Sequence, residues 1–217
     1  MTDVARLGGG YAESSPDPGP TVEALLRAAR SGEAGACLTV IAGPPGVGKS
    51  ALAARLVEQL PHSFWIDKDT VAGGFVLQAA RDAGLAADCP YGTPHYWQVL
   101  RPLEYAGPLS LACANLVGKR LVLLSGGWGP ELSVPALWEG LRERLAPARL
   151  RVLHLDAPPL EVWRSRLAGR GSRSDSPWFE EFAAALTRLP VWEGALRLAT
   201  DRPLCDLAQD ARRAPDP

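Results

Sequence analysis

The stretch Gly43-Pro44-Pro45-Gly46-Val47-Gly48-Lys49-Ser50 decides how the rest of this chain is interpreted. It matches the pattern G-x-x-x-x-G-K-[ST], in which glycines let backbone N–H groups turn around phosphate oxygens. Its context also fits, because the apolar run 37–42 precedes it like a buried strand and a helical pattern follows from Leu52 to Leu60. We expect Lys49 to reach the β- and γ-phosphates and Ser50 to complete the shell of a Mg²⁺ ion. All eight residues are therefore predicted to bind a nucleoside triphosphate.

The composition indicates one α/β domain that neither crosses a membrane nor binds mainly to nucleic acid. The chain has 217 residues, is 47% hydrophobic and carries a formal net charge of −1 at pH 7. This length suits a single domain, and no stretch approaches the ~18 consecutive apolar residues of a membrane span. Proteins bound mainly to nucleic acid usually carry a basic face. The beginning of the chain lacks the layout of a signal peptide, and its four cysteines form no C-x-x-C pair. We therefore expect a cytoplasmic protein.

Apolar runs that alternate with helical segments predict a parallel sheet covered by helices on both faces. The predicted strands are 37–42, 63–67, 120–125, 150–156 and 195–199. The predicted helices are 21–29, the segment that follows the phosphate-binding loop, 135–145, 161–167, 178–189 and 203–213, with a mainly helical region at 70–118 that is broken at 89–94. We expect a flexible leader at 1–19, one domain at 20–213 and a flexible tail at 214–217. Ligands of such sheets bind beyond the carboxyl ends of the strands.

Two common uses of this phosphate-binding loop do not fit the remaining sequence. GTPases normally read guanine with an N-K-x-D segment, but the only asparagine, Asn115, is followed by Leu116 and Val117. Motor ATPases generally carry an Asp-Glu pair at the end of a core strand, whereas the third predicted strand ends at Ser125. Phosphotransferases are the class that remains.

Two further segments supply groups that phosphoryl transfer to a hydroxyl requires. In Asp67-Lys68-Asp69, which follows the second strand, one carboxylate would accept the acceptor's proton and the other would hold Mg²⁺-bound water. Three arginines run from the end of a predicted helix into a Gly/Ser-rich stretch: Arg166, Arg170 and Arg173. This combination predicts a mobile lid that closes onto phosphate oxygens. We expect Arg170 and Arg173 at the transferring group, and Arg166 there or stacked on the adenine. The alternatives are acids that only cap the next helix and arginines that only face solvent.

Aromatic and charged residues in the middle of the chain are candidates for the acceptor site. Tyr96 and Trp128 would form walls for a flat or amphipathic small molecule, and Arg101 and Glu104 would orient its hydroxyls or charges. The alternative is a purely structural role, because the spacing of Tyr96 also fits a helical core. Few cations lie in this region, so a low-molecular-weight acceptor fits better than the 5′ end of a nucleic acid.

The layout resembles the small-molecule and polynucleotide kinase branch of P-loop proteins, which includes chloramphenicol phosphotransferase, zeta-toxin-like kinases and polynucleotide 5′-kinases. The resemblance covers roughly residues 36–210 and rests on the 43–50 loop, the acids after the second strand and the arginine-rich lid. It implies a P-loop NTPase fold with a five-stranded parallel sheet, ATP and Mg²⁺ as cofactors, and an acid after the second strand as the catalytic base. Asp69 matches the position of the single acid in the polynucleotide kinases. Ser125 stands where several relatives carry an acid, which leaves Ser50 and water-mediated carboxylates to hold the metal.

The sequence thus predicts an ATP- and Mg²⁺-dependent phosphotransferase that acts on a hydroxyl of a small molecule, such as an antibiotic, a biosynthetic intermediate or a sugar. Two alternatives stay open: a nucleotide-binding regulatory protein without an acceptor, and a nucleic-acid 5′-hydroxyl kinase. The choice between ATP and GTP, the acceptor and the oligomeric state are left open by the sequence.

Overall fold

The computed structural model describes residues 16–85, 91 and 93–213. Most of the predicted leader, the predicted tail, and residues 89, 90 and 92 of the predicted break lie outside these ranges. The first helix begins at Gly19, and the last one ends at Arg213.

A parallel sheet forms the centre of the described part of the chain, with five strands in the order β2-β3-β1-β4-β5. The strands are β1 (Cys37–Ala42), β2 (Ser63–Asp67), β3 (Leu121–Ser125), β4 (Arg149–Leu155) and β5 (Leu196–Leu198). Every residue of β1 is buried, because this strand has neighbours on both sides and helices on both faces. The continuous apolar sequence of this strand reflects that position. The predicted fold class, an α/β P-loop fold, is confirmed.

Helices cover both faces of the sheet. They are α1 (Gly19–Ala28), α2 (Lys49–Gln59), α3 (Lys68–Asp82), α4 (Arg101–Ala114), α5 (Pro135–Leu145), α6 (Leu160–Gly169), α7 (Trp178–Thr187) and α8 (Leu204–Arg213). A π-helical turn, Tyr96–Leu100, leads into α4, and a 3₁₀ turn, Pro130–Ser133, precedes α5. Helices α1, α4 and α5 pack on the face that contains Val40, while α2 and α8 pack on the face that contains Ile41. None of the described helices combines the length and the apolar character that crossing a bilayer would require.

The register of the strands positions the candidate site. Ser125, the last residue of β3, pairs with Ile41 of β1 on one side and with Asp67 of β2 on the other. The ends of these three strands therefore lie side by side at one edge of the sheet. Since neighbouring strands are about 5 Å apart, the acid that ends β2 lies about 10 Å from the strand that enters the phosphate-binding loop.

Candidate active site

Residues 43–48 form a tight loop whose path requires glycine. Gly43, Gly46 and Gly48 have φ angles of 140°, 81° and 103°, a region that residues with a side chain rarely adopt. A Cβ atom at Gly43 would lie 2.5 Å from the carbonyl oxygen of Leu155, and one at Gly46 would lie 2.9 Å from the side chain of Leu167. The glycines of the motif are thus needed both for the turn and for close packing against β4 and α6.

Lys49 begins α2 and reaches back across the loop. Its Nζ donates hydrogen bonds to the carbonyl oxygens of Gly43 (2.8 Å) and Pro44 (2.7 Å). Burial lowers the pKa of Lys49 to about 8; Asp69 opposes this shift and Arg170 adds to it. Because both hydrogen-bond acceptors are neutral carbonyls, the ammonium charge is held in place without being cancelled. This is the arrangement that a phosphate oxygen would complete.

A hydrogen bond from α6 holds the phosphate-binding loop in place. The indole Nε1 of Trp163, a fully buried side chain, donates to the carbonyl oxygen of Pro45 at 2.7 Å. The backbone of Gly43 is also tied to the segment after β3, since its N–H donates to the carbonyl oxygen of Gly127 at 3.3 Å. The loop is therefore fixed from two directions.

A cleft of about 470 Å³ opens beside the loop. It brings together Lys49, Ser50, Asp67 and Asp69 with Arg166 and Arg170, all of which the sequence predicts as site residues. The wall of the cleft also includes Tyr91, Tyr105, Gly126 and Gly127. Six separate segments of the chain thus contribute to one cleft, and most of them follow the ends of strands, where ligands of such sheets bind.

Both carboxylate oxygens of Asp67 accept hydrogen bonds from other residues of the protein. Its Oδ1 caps α3 by accepting hydrogen bonds from the backbone N–H and the hydroxyl of Thr70, both at 3.0 Å. Its Oδ2 accepts a hydrogen bond from the Ser125 hydroxyl at 2.9 Å, and that hydroxyl in turn accepts one from the indole of Trp65. The carboxylate of β2 therefore reaches over the end of β3, where the chain itself has a serine. Its predicted roles as base or metal ligand remain predictions, and the cap adds a structural role.

Asp69 differs from Asp67 because it has no capping role. Its side chain is 42% exposed, and Oδ1 lies 2.7 Å from the Nζ of Lys68. The partly buried setting would raise the pKa of Asp69, but Lys68 outweighs this effect, with help from Lys49 and Arg170, so the pKa lies below its usual value. Asp69 is therefore an ionised carboxylate that faces the cleft.

Lys68 connects Asp69 to a buried group of polar side chains. Its side chain is only 6% exposed and forms a second ion pair with Glu104, which has no exposed surface. The ammonium group also lies 4.9 Å from the centroid of the Tyr105 ring. Glu104 accepts a further hydrogen bond from the hydroxyl of Tyr96 at 2.8 Å. A positive charge at Lys68 thus stabilises two carboxylates, one in the cleft and one beneath it.

The buried group of polar side chains around Glu104 also includes Arg101, which contacts Tyr96. Arg101 donates to the Tyr96 hydroxyl at 3.0 Å and forms a two-pronged ion pair with Glu131, at 2.8 and 2.6 Å. Its guanidinium also lies over the ring of Tyr105. Trp128 is equally buried, and its backbone N–H donates to the Tyr105 hydroxyl at 3.2 Å.

The four residues predicted to contact the acceptor therefore lie in the interior. Tyr96, Arg101, Glu104 and Trp128 are each at most 1% exposed. For an acceptor to touch them directly, polar atoms that now pair with one another would have to be uncovered. Direct contact stays a prediction, while the observed geometry gives these residues a supporting position beneath the cleft.

The arginines of the predicted lid do not all lie in one place. Arg166 and Arg170 line the cleft, and Arg166 donates to the carbonyl oxygen of Thr200 at 2.9 Å. Arg173 instead pairs with Asp175 at 3.1 Å and lies over the ring of Trp178. Contact between Arg173 and a transferring phosphoryl group stays a prediction that requires this segment to move.

A second cavity, of about 400 Å³, adjoins the loop at Pro44 and Pro45 and contains residues that the sequence analysis did not single out. His154, near the end of β4, lies 2.8 Å from Asp156 through Nδ1, and Arg197 of β5 pairs with the same carboxylate at 2.9 Å. Burial lowers the pKa of His154, although Asp156 acts in the opposite direction. The H-x-D spacing at the end of a strand is the signal that would have found this pair, because residues two apart share a face.

The residues present fit a magnesium site that depends mainly on the nucleotide. Among the residues that the structure describes, no three His, Cys, Asp or Glu side chains cluster as a metal site. Mg²⁺ in nucleotide sites usually keeps several waters and takes one or two protein ligands plus phosphate oxygens. The Ser50 hydroxyl and the Asp67 carboxylate, both in the wall of the cleft, are compatible with that pattern.

No protein-family model and no curated protein matches the sequence. Solved structures do match, over 82% of this chain. One is a gluconokinase from Sinorhizobium meliloti 1021, with a TM-score of 0.52, 16% identity and 91% of its chain covered. The tunicamycin resistance protein of Deinococcus radiodurans has a TM-score of 0.54, 22% identity and 96% coverage. A shikimate kinase from Bacteroides thetaiotaomicron has a TM-score of 0.52, 18% identity and 96% coverage.

The chain has the α/β P-loop fold that these structures share. The resemblance inferred from the motifs is thereby confirmed at the level of the fold. At these identities the likeness does not extend to an activity or a substrate, so the chemistry has to be argued from the cleft.

Proposed function

We propose that this protein is an ATP- and Mg²⁺-dependent phosphotransferase that transfers the γ-phosphoryl group to a hydroxyl of a small molecule. The observation that carries the proposal is the pairing, in one cleft, of a loop-held lysine with an ionised carboxylate that has no capping role. Lys49 is suited to the donor phosphates, and Asp69 is suited to an acceptor hydroxyl. Two proteins of similar fold, the gluconokinase and the shikimate kinase, are small-molecule kinases by name.

On the donor side, the loop amides and Lys49 would hold the β- and γ-phosphates. Mg²⁺ would bind the Ser50 hydroxyl and phosphate oxygens and would neutralise part of the negative charge that develops during transfer. Arg166, whose guanidinium is oriented by the Thr200 carbonyl, would offer a flat surface to the adenine.

On the acceptor side, Asp69 would accept the hydroxyl proton while the oxygen forms its bond to the γ-phosphorus. The bond from that phosphorus to the β–γ bridging oxygen breaks, and ADP leaves with the electron pair. The pKa of Asp69 lies below its usual value, so proton transfer would come late and the main task of the carboxylate would be to orient the hydroxyl. Arg170 would stabilise the charge on the transferring group.

The walls of the cleft support a small acceptor. Tyr91 and Tyr105 line this side but are themselves 6% and 1% exposed, and Gly126 adds no side chain there. Lys68, the cation on this side, is already paired with Asp69 and Glu104. A nucleic-acid strand would require further cations along its path, and the described lining residues of the acceptor side do not provide them. An antibiotic, a biosynthetic intermediate or a sugar is compatible with this surface.

The proposal is tested by incubating the pure protein with MgATP and a pooled library of hydroxylated metabolites, antibiotics, nucleosides and 5′-hydroxyl oligonucleotides. We expect a small molecule to gain the mass of one phosphoryl group. Lys49→Ala should abolish this product, and Asp69→Asn should abolish it while leaving nucleotide affinity within about twofold, because Asp69 is not needed for phosphate binding. Unchanged turnover of either variant would contradict the assigned roles.

A nucleotide-binding regulatory protein is the second candidate, and one observation favours it. Ser125 takes the place of a carboxylate at the end of β3, and both oxygens of Asp67 already accept hydrogen bonds. Such a protein would bind MgATP tightly and phosphorylate no member of the library. In that case Asp69→Asn would leave both nucleotide affinity and any biological output intact.

A further inference from the structure

The second cavity, which adjoins the phosphate-binding loop, has the size of a small-molecule site. Its volume of about 400 Å³ lies within the range of ~300–1,000 Å³ that such sites usually occupy. Strands β4 and β5 contribute His154 and Arg197, and the segment that follows α7 contributes residues 188–191. Pro45 and Gly127 line both this cavity and the cleft. The two spaces therefore adjoin each other at these two residues.

Apolar side chains form much of the wall of the second cavity. They include Leu132, Ala157, Leu186, Leu189 and Val191. Leu132 and Val191 belong to the apolar cluster under α1, α4 and α5, whereas Ala157 and Leu186 pack against the aromatic cluster of α6 and α7. The cavity thus lies between two apolar clusters. An apolar group placed there would be removed from water, which favours binding.

The segment that follows α7, one wall of this cavity, is held in place by contacts with its surroundings. Trp192 stacks on Trp138 of α5 with ring centroids 5.9 Å apart, and the guanidinium of Arg142 lies over the Trp192 ring at 5.3 Å. Leu189 lies against Gly129, where a Cβ atom would come within 3.3 Å of it. The cavity is thus preformed, so a ligand would bind without the cost of ordering this segment.

One polar atom of His154 faces this apolar wall. The residue is 9% exposed, and its Nδ1 lies 2.8 Å from the carboxylate of Asp156. Because a carboxylate only accepts hydrogen bonds, Nδ1 carries the proton. Burial outweighs Asp156 and keeps the pKa of His154 below its usual value, so the ring is neutral and Nε2 keeps its lone pair. Among the residues that the structure describes, none bonds to Nε2, and this atom is not fully enclosed.

The charged groups beside His154 orient its ring and lie towards solvent. Arg197 donates through Nε to both carboxylate oxygens of Asp156, at 3.0 and 3.2 Å, so Asp156 is fixed on the side away from the imidazole. The side chain of Arg197 is 62% exposed. Arg188, the remaining charged residue among the described lining residues, is exposed as well. The buried part of the cavity therefore offers apolar surface and one neutral hydrogen-bond acceptor.

We propose that the second cavity binds an uncharged, largely apolar group that carries one hydrogen-bond donor, O–H or N–H, and that this group is the far end of the phosphate acceptor. The second half of this statement rests on the proposed function and on the contact between cavity and cleft at Pro45 and Gly127. The donor would bond to Nε2 of His154, while Asp69 would meet the reacting hydroxyl of the same molecule. A sugar alone, polar on every side, would leave hydroxyls unpaired against the apolar wall. The acceptor is therefore an amphipathic molecule.

The first test needs no enzymatic activity. ¹⁵N-labelled protein is titrated with indole, an uncharged ring whose N–H can donate, and with benzofuran, which has the same shape but no donor. We expect indole to shift the amide signals of Gly129, Leu189 and Val191 and to move the Nε2 signal of His154 upfield while Nδ1 stays in place. Benzofuran should bind roughly two- to tenfold more weakly, because the hydrogen bond is missing.

Three variants connect this binding to the cavity. His154→Leu keeps the pair of Asp156 and Arg197 and should lower the affinity for indole to that for benzofuran. Leu189→Trp places a larger ring in the cavity from a half-buried position and should abolish the binding of both probes. The matched control is His62→Asn, which removes an exposed histidine outside the cavity and should bind indole as the wild type does. Asn is chosen because His62 has a positive φ angle, which Asn tolerates.

A second titration is made with the cleft saturated with Mg²⁺ and a non-hydrolysable ATP analogue, whose binding Gly48 reports. Indole should bind with unchanged affinity. Displacement of indole by the analogue would assign the cavity to the nucleotide and overturn the proposal. So would the absence of shifts at Gly129, Leu189 and Val191, or equal affinities for indole and benzofuran.

The library assay tests the connection to the acceptor. The phosphorylated product should carry an uncharged apolar group with a donor, and His154→Leu should raise the KM for this acceptor roughly two- to tenfold with kcat unchanged, because the contact lies away from the reacting atoms. A product without such a group, or an unchanged KM, would overturn the proposal. If no library member is phosphorylated, the proposed function fails, and the indole titration alone decides what the cavity binds.

Discussion

The charge state of Lys49 controls the first step of the proposed reaction. Its pKa of about 8, lowered by burial, lies close to physiological pH. A bound phosphate favours the ammonium form and raises this pKa. Nucleotide affinity should therefore be nearly constant below pH 7 and fall above pH 8, by about tenfold for each further pH unit. Below the pKa the lysine is already protonated, so no proton is gained there.

The measurement is isothermal titration calorimetry with MgATP between pH 6.5 and 9.5. Repeating the titration at pH 9 in two buffers with different ionisation enthalpies should reveal proton uptake on binding. Lys49→Met is the matched control and should lose both affinity and this pH dependence. An affinity that stays constant up to pH 9.5 would show that Lys49 does not meet the phosphates as a titrating group.

The ion pair of Lys68 and Glu104 leads to a prediction about stability. Lys68→Met leaves a carboxylate with no exposed surface next to an apolar side chain, so the free energy of unfolding should fall by about 3–5 kcal/mol. Lys68→Met/Glu104→Gln should lose clearly less, because no unpaired charge remains. Urea unfolding checks both values, and Arg55→Met, which breaks an exposed ion pair, should change stability by less than about 1 kcal/mol. Equal losses in the single and the double variant would mean that the pair is not coupled.

At the scale of elements, α6 acts on the phosphate-binding loop through Trp163. Trp163→Phe keeps an aromatic ring against Phe179 and Phe182 but removes the hydrogen bond to Pro45. Since such a bond contributes about 0.5–1.5 kcal/mol, nucleotide affinity should fall by roughly two- to tenfold. Trp178→Phe is the control, because that ring belongs to the same aromatic cluster and stacks on Phe182, while the hydrogen bond to Pro45 comes from Trp163. A fluorescence titration with a labelled nucleotide measures both. Equal effects of the two variants would show that packing, and not the tie to the loop, matters.

Most element boundaries could be predicted from local patterns. The bounds predicted for β1, β2 and α5 agree with the structure, and the other predicted strand bounds differ by at most one residue at each end. The start of α3 is a clear difference, because the helix begins at Lys68 rather than 70. The reason is the cap by Asp67, whose carboxylate is oriented by Ser125 from a different strand. A contact across 58 residues leaves no local trace in the sequence.

The whole molecule carries its candidate active site at the edge of the sheet where the strands end. Helices pack on both faces, each over its own cluster of apolar side chains, and make the sheet a rigid support. A ligand that binds only the folded protein therefore stabilises the whole domain.

MgATP should raise the melting temperature of the protein. At a free concentration of 100 times the dissociation constant, the stabilisation is about 2.7 kcal/mol, which corresponds to a shift of roughly 5–10 °C for a domain of this size. Differential scanning calorimetry measures the shift. Lys49→Ala should abolish it, whereas Arg144→Gln should not change it. The absence of any shift at millimolar MgATP would contradict nucleotide binding itself.

The sequence by itself determined the loop at residues 43–50, the five strands and the presence of acids after β2, because spaced glycines and apolar runs act locally. Tertiary structure decided the different positions of the two acids after β2. Asp67 caps a helix, and Asp69 faces the cleft beside Lys68. It also decided that Arg101 and Glu104 lie in the interior. These features depend on strand order and on packing between distant segments, and no local pattern encodes either.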